Sequence, residues 1–282
     1  MVDRLKIAVT GATGFVGRHV VAELLRRKAE VILSTRDTTR LQGLPAEIVE
    51  FDIAGPVEGC FERLGKPDVL IHLAWEGLPN YKSLHHFEVE LPRQFHFLKT
   101  MIEGGLQSLL VAGSCLEYGM QSGPLREDLP TIPNNPYGQA KDALRKQLEF
   151  LRSSKPFAFM WARLFYVYGD GQSKSSLYSQ LKEAVLRGEH VFNMSGGEQL
   201  RDYLPIVEVA RKIAGLASNQ RHVGAVNICS GKPISVRKLV EQWILENKWR
   251  IELNLGHYPY PDYEPMAFWG DATKMAAICA EQ

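Results

Sequence analysis

Cysteine is scarce and scattered: Cys60, Cys115, Cys229 and Cys279 are the four thiols in 282 residues, and none forms a CxxC pair. That pattern excludes a disulfide framework and a cysteine zinc site, and it suits a reducing compartment. Long hydrophobic runs are missing as well, since no stretch approaches the ~18 uninterrupted apolar residues of a membrane helix. The N-terminus, MVDRLKIAVTG, has no basic start, long apolar segment or cleavage site of a signal peptide. A cytoplasmic protein with no membrane partner is expected. Charge of one sign is also lacking: 33 Lys and Arg stand against 32 Asp and Glu, a net +1. There is then no overall field to draw in nucleic acid or anionic lipid, and an anionic ligand has to be held locally. Repeats and low-complexity tracts are absent. What remains, 45% hydrophobic and 23% charged residues, is the balance of a folded globular chain of one large unit or two domains.

Short β-branched runs alternate with longer stretches of helical period. KIAVT (6–10), the helical VVAELLRR (20–27) and VILST (31–35) make a βαβ unit. Further strands are expected at EIVEF (47–51), DVLIHLA (68–74), SLLVAGS (108–114) and FAFMWARL (157–164). Several are continuously apolar, as strands buried on both faces are. Helical patterns fall near 82–103 and 137–153. Right-handed crossovers then give an α/β fold, a doubly wound parallel sheet of Rossmann type over residues 1–165. Residues 166–282 are more irregular, with helical patterns near 175–188, 207–218 and 235–247, and read as a smaller C-terminal substrate-binding domain with some exchange of chain between the two. HYPYPDYEP (257–265) reads as an ordered surface loop.

The first βα junction is a GxxGxxG loop, Gly11, Gly14 and Gly17, with Thr13, Phe15 and Val16 between. Glycines here permit a tight turn and close approach of backbone to a pyrophosphate, and the helix start offers N–H donors. Its place between a strand and an apolar-periodic helix points to dinucleotide binding. The end of the second strand selects the dinucleotide, because an acid there bonds the adenosine 2′-hydroxyl whereas a base accommodates a 2′-phosphate. Thr35 stands where the acid is expected and Arg36 follows, with Arg40 and Arg18 as helpers. NADP(H) is favoured, with NAD(H) possible. The alternative is a solvated Arg36, with Asp37 on the ribose.

Two YxxxK matches occur, Tyr137/Lys141 and Tyr178/Lys182. Tyr137 follows PNNP at the start of a helical pattern, 23 residues after Ser114, and Ser114 ends a strand where doubly wound sheets bind ligands. Tyr178 lies inside a later helix, where Tyr and Lys four apart simply share a face. Tyr137 is therefore the functional candidate. His85, His86 and His96 read as solvated histidines, so no metal site is expected, and Cys115 reads as a small buried residue.

TGATGFVG, HLAW (72–75), AGSCLEYG (112–119), PYGQAK (136–141), RLFYVYGDGQ (163–172), GGEQLRDYLPIVEVA (196–210), NICSGKPISV (227–236) and Asp271-Ala-Thr-Lys274 occur in order. With them the chain resembles the extended short-chain dehydrogenase/reductase family of NAD-dependent epimerase/dehydratase type, whose members act mainly on nucleotide-activated sugars. The resemblance implies that Ser114 bonds the reacting oxygen, Tyr137 transfers the proton and Lys141 grips the nicotinamide ribose. It implies cofactor contacts at Asp52, Ile53, Leu73 and Ala74, and substrate contacts at Trp75, Cys115, Glu117, Tyr166 and Arg201. Arg201 occupies the position that contacts a nucleotide-sugar phosphate; a salt bridge to Asp202 is the alternative. A homodimer through the helices near 82–103 and 137–153 is implied by the same analogy.

Departures from the family pattern narrow the reaction. Cys115 and Leu116 hold the positions where dehydratases keep their elimination acid and base, which argues against dehydration. Tyr166 and Glu90 replace asparagines of the pattern. The reading that results is NADPH-dependent reduction of a nucleotide-linked 4-keto-6-deoxyhexose in glycan precursor biosynthesis. The alternatives are a nucleotide-sugar epimerase on bound NAD, which Thr35-Arg36 disfavours, and a non-catalytic NADP-binding regulator, which has no need of Ser114, Tyr137 and Lys141 together.

Overall fold

The computed structural model describes residues 5–219, 224–260, 262 and 264–280. Seven strands form one sheet: β1 (Lys6–Thr10), β2 (Glu30–Thr35), β3 (Glu47–Glu50), β4 (Val69–His72), β5 (Ser108–Ser114), β6 (Ala158–Leu164) and β7 (Gly224–Ile228). Their order is β3-β2-β1-β4-β5-β6-β7, and every pairing is parallel. The apolar runs divide between two cores by the strand's period of two. Ile7, Val9, Val31, Leu33, Val69 and Ile71 face one layer of helices, while Ala8, Ile32, Leu70, Leu109 and Val111 face the other. This is the doubly wound sheet expected from the sequence.

The first layer is α1 (Phe15–Arg26), α5 (Ile206–Asn219) and α7 (Thr273–Ala280); the second holds α2 (Leu91–Gly104) and α3 (Pro136–Ser154). α2 begins later than its periodicity suggests because a wide π-type turn, His86–Glu90, precedes it and Pro92 opens the helix proper. β4 also stops early, at His72, so that residues 73–76 leave the sheet as a loop. The chain crosses back beyond residue 165: β7 completes the sheet beside β6, and α5 packs on α1 through Val209, Ile213 and Val20. GAVNI (224–228) is too short and too glycine-rich at its start to stand out as a strand by pattern.

The smaller region is built on α4 (Leu177–Leu186) and α6 (Val236–Glu246). Leu181, Phe192, Leu239 and Trp243 pack between them. Its strands have two or three residues each: Leu200–Arg201 pairs with Ile234–Ser235, Tyr203–Pro205 with Tyr166–Tyr168, and Phe268–Gly270 with Gly123–Leu125. Among the described residues, no helix is long and apolar enough to cross a membrane.

Candidate active site

After β1 the chain turns through Gly11 at φ +73, and a Cβ there would lie 2.7 Å from the Ala74 nitrogen. One on Gly17 would lie 2.0 Å from the Gly11 carbonyl oxygen, so the turn closes on residues 73–74 only because Gly11 lacks a side chain, and α1 closes on the turn only because Gly17 does. Gly14 caps α1 without a side-chain bond, which leaves first-turn amides for an anionic ligand. A cavity of about 340 Å³ opens here, lined by Gly11, Thr13, Gly14, Thr35, Arg36, Arg40, Asp52, Ile53, Leu73 and Ala74 among others. These are among the residues expected on a dinucleotide, and the close backbone packing that Gly11 and Gly17 permit shapes the cradle such a ligand needs. Phe15, Val16 and Gly17 are not in the lining; Phe15 and Val16 brace the loop by packing on the core behind it. Trp75, expected on the substrate, lines this cavity instead.

At the end of β2, the Asp37 carboxylate caps residues 38–41 by accepting the Thr39 amide at 3.0 Å and its hydroxyl. Those bonds hold its pKa below the usual range. Arg36 pairs with Glu76, which also accepts from Arg93 at 3.2 Å. Asp52 lines the cavity and accepts the Ala54 amide at 3.0 Å, combining the ligand position with the turn.

Ser114 ends β5, and Tyr137 is the second residue of α3. Asn135 caps that helix by accepting the Gly138 amide at 2.9 Å. A Cβ on Gly138 would lie 2.6 Å from the Leu116 carbonyl oxygen, so this glycine lets the helix start dock on the Ser114 turn. The Ser114 and Tyr137 side chains face each other as a result, and the serine hydroxyl lowers the phenol's pKa, against the larger effect of burial. The Tyr137 amide donates to the Tyr81 carbonyl at 3.2 Å. One helical turn on, Lys141 donates to the Ala112 carbonyl at 3.0 Å, and its ammonium lies 3.9 Å from the Trp75 ring centre. Burial pushes the Tyr137 phenol well above its ordinary pKa and lowers Lys141 to about 7, the latter opposed by Glu117 and Glu90. Near neutral pH the phenol keeps its proton, while the amine is poised to lose one.

Glu117 does not reach the substrate cleft. It is fully buried, and its carboxylate accepts from the Ser114 amide at 2.7 Å, Arg163 Nε at 2.7 Å and the Trp161 indole at 2.9 Å. This corrects its expected role as a substrate contact: the spacing is that of a capping box, in which the third residue turns back to the cap. Cys115 is buried, and desolvation raises its thiol pKa, so it behaves as a small apolar residue.

Arg201 is not paired with Asp202. Its Nη1 donates to the Leu200 carbonyl at 2.9 Å and its Nη2 to Glu264 at 3.1 Å, while Asp202 accepts the amides of Ser230 and Gly231. Tyr166 hydrogen-bonds the same Glu264. Sequence reasoning missed Glu264, which sits in a stretch whose proline and tyrosine content marks only a loop.

Tyr178 packs 5.0 Å from the Trp243 ring, and Lys182 pairs with Asp170. His86 is buried rather than solvated, a second correction. Its Nδ1 accepts from Trp75 at 3.1 Å and its Nε2 meets the Asn80 carbonyl at 2.9 Å, so the proton belongs on Nε2. Periodicity could not show this, because the partner sits in a loop eleven residues away. Glu76, His85 and Glu90 bring ligand atoms within 4.8 Å of one another. Arg93 pairs with both carboxylates, which makes the group an ion-pair network. A larger cavity, about 830 Å³, lies between segment 126–131, α3 and α7, and among its lining charges Arg126 pairs with Asp128 and Arg145 with Glu149.

Comparison with known proteins agrees with this geometry. The family model described as "NAD dependent epimerase/dehydratase family" matches residues 7–229. A dTDP-6-deoxy-L-talose 4-dehydrogenase (NAD(+)) from Aggregatibacter actinomycetemcomitans is 32% identical over 272 residues, covering 94% of this chain and 99% of the relative. An uncharacterized UDP-glucose epimerase from Bacillus subtilis (strain 168) is 25% identical, covering 96% and 90%. The solved structure of MoeE5 in complex with UDP-glucose and NAD superposes with a TM-score of 0.82 at 27% identity, covering 98% of this chain and 92% of that one. A glycine cradle at the first strand, a Ser-Tyr-Lys centre at the fifth and a family match over most of the length converge, and the chain belongs to the NAD dependent epimerase/dehydratase family.

Proposed function

We propose that this protein reduces a nucleotide-linked 4-keto-6-deoxyhexose with NADPH, yielding a 6-deoxyhexose donor for glycan synthesis. The observation that carries the reading is the Ser114–Tyr137–Lys141 arrangement beside the glycine cradle. The nicotinamide, when bound, supplies a hydride to the keto carbon. Tyr137 then gives its proton to the keto oxygen, Ser114 steadies that oxygen, and Lys141 holds the ribose and neutralises the phenolate that forms. Burial keeps Tyr137 protonated at neutral pH, the form reduction consumes. Cys115 and Leu116 offer no elimination acid or base, and Glu117 is spent on Arg163. The Aggregatibacter relative's name places its chemistry at C4 of a 6-deoxy sugar nucleotide, the reverse of this step.

NADPH over NADH rests on Arg36 and Arg40 at the cavity and on the engagement of Asp37 with Thr39. The Aggregatibacter relative is named for NAD(+) and the solved neighbour holds NAD, so the choice is tested directly. A homodimer through α2 and α3 extends the reading, with Phe150 of α3 at 78% exposure as a residue it would cover. A cytoplasmic setting suits four unpaired thiols.

The test offers the 4-keto-6-deoxy nucleotides of GDP, CDP, UDP and dTDP with either NADPH or NADH, following cofactor absorbance and product NMR. Stoichiometric NADPH loss with one C4 epimer formed supports the reading. Sugar interconversion without net cofactor loss favours an epimerase, and binding without turnover favours the regulator.

A further inference from the structure

We propose that Glu117, anchored by Arg163 and Trp161, is a positioning residue that sets the Ser114 hydroxyl against Tyr137 by holding the Ser114 amide. The inference rests on the reductase reading above. β5 ends at Ser114, and the chain turns at once through 115–118. Two reciprocal bonds set that turn: Ser114 N–H donates to Glu117 Oε1 at 2.7 Å, and Leu116 N–H donates to Ser114 Oγ at 3.2 Å. The residue carrying the reactive hydroxyl is thereby fixed at both its backbone and its side chain.

Glu117 is fixed in turn from β6. Arg163 Nε lies 2.7 Å from one carboxylate oxygen, and the Trp161 indole reaches both, at 2.9 and 3.0 Å. Strand register puts Arg163 beside Gly113 and Trp161 beside Val111. Gly113 makes the room, since a Cβ there would lie 2.6 Å from Glu117 Oε1 and 2.2 Å from Trp161 Nε1. All three anchoring side chains are buried. A buried ion pair is costly to assemble, and well-packed apolar residues of similar volume often hold a fold as well. Apolar residues cannot, however, accept the Ser114 N–H. Retaining the pair therefore serves the reacting geometry, where a shift of an ångström is worth orders of magnitude in rate.

The experiment compares Glu117→Ala/Arg163→Met with Glu117→Gln/Arg163→Met, pairs that leave no charge stranded. In the alanine pair, kcat falls roughly tenfold to a hundredfold at nearly unchanged KM and NADPH affinity, the size of a small misplacement of a reacting group. Both pairs remove the Glu117 charge that supports the Lys141 ammonium, so their comparison isolates the acceptor: the glutamine pair, which keeps the oxygen, recovers the part of the loss that comes from the Ser114 N–H. Placed on Ser114→Ala, the alanine pair costs no more than the glutamine pair. NMR of the carbon-labelled Tyr137 phenol, assigned with Tyr137→Phe, moves in the alanine pair and returns in the glutamine pair. That readout stands even if the wild type turns over no nucleotide sugar, a result that counts against the reductase reading alone. The inference is overturned by wild-type kcat in a folded alanine pair, by glutamine doing no better than alanine, or by kcat, NADPH affinity and near-UV dichroism falling together. If neither pair folds, Trp161→Phe decides: a severalfold fall in kcat at constant KM supports it, and wild-type kcat overturns it.

Discussion

On the cofactor wall of the cleft, Gly11 and Gly17 act by what they lack, for the backbone of residues 73–74 and of the loop itself fills the space of a Cβ. On what we propose as the substrate wall, Tyr166, Arg201 and Glu264 act by what they carry, with Tyr166 and Arg201 both bonded to the Glu264 carboxylate beside strands of two or three residues. On the proposed reading the first wall receives a constant shape, a pyrophosphate, and it tolerates no added atom. On the same reading the second is a set of exchangeable partners, suited to sugars that differ by one hydroxyl. Tyr137 and Lys141, on the helix between them, belong to neither wall.

That division is broken first at the centre. Tyr137→Phe should lower kcat about 10²–10⁴-fold with cofactor affinity retained, whereas Tyr178→Phe, in an aromatic cluster, should leave kcat near wild type; stopped-flow turnover and NADPH titration of both variants check this. Next comes Gly17→Ala, which puts a methyl group against the Gly11 carbonyl and should cost about 3 kcal/mol of stability or the cofactor site itself. Thermal unfolding with and without NADPH measures it, and a silent substitution would mean that the first wall is not steric. Arg36→Ala should weaken NADPH by about 1–3 kcal/mol, the scale of one bond to a charged group, and leave NADH unchanged. Equal losses for both cofactors in calorimetry would return the ribose to Asp37.

The smallest effect concerns stability against pH. Lys141 titrates near 7 in the fold against the ordinary lysine value of 10.5 when unfolded, because burial disfavours its charge. Between those values the unfolded chain binds more protons, so this group's contribution to stability rises with pH and is lost as pH falls toward 7. Lys141→Met should abolish turnover yet raise the Tm by a few degrees at pH 7, with the gain shrinking toward pH 10. A variant less stable than wild type across that range would show that Lys141 is held by its contacts with Ala112 and Trp75 rather than merely tolerated.

The GxxGxxG loop, the strand runs and the Tyr137–Lys141 spacing were legible because each depends on neighbours close in sequence, and Ser114 because it ends one of those runs. Strand periodicity, glycine spacing and one turn of helix are local geometry. The paired side chains of the substrate wall were not legible, since Glu264 meets Tyr166 and Arg201 across 98 and 63 residues. β7 was missed for a related reason: its five residues gain their strand character from lying beside β6.

Glu117 shows the boundary most sharply. Its place three residues after Ser114 is written in the chain, and either a cleft-facing carboxylate or a capping one satisfies that spacing. The choice was made by Trp161 and Arg163, forty-four and forty-six residues downstream, which offer buried donors on the side away from the cleft. By itself the sequence determined the strands β1 to β6, the glycine cradle and the positions of Ser114, Tyr137 and Lys141, because strand periodicity, glycine spacing and one turn of helix are short-range geometry. Which way each buried polar group faces was decided only by the tertiary structure, because a group taken out of water adopts the orientation in which distant parts of the chain complete its hydrogen bonds.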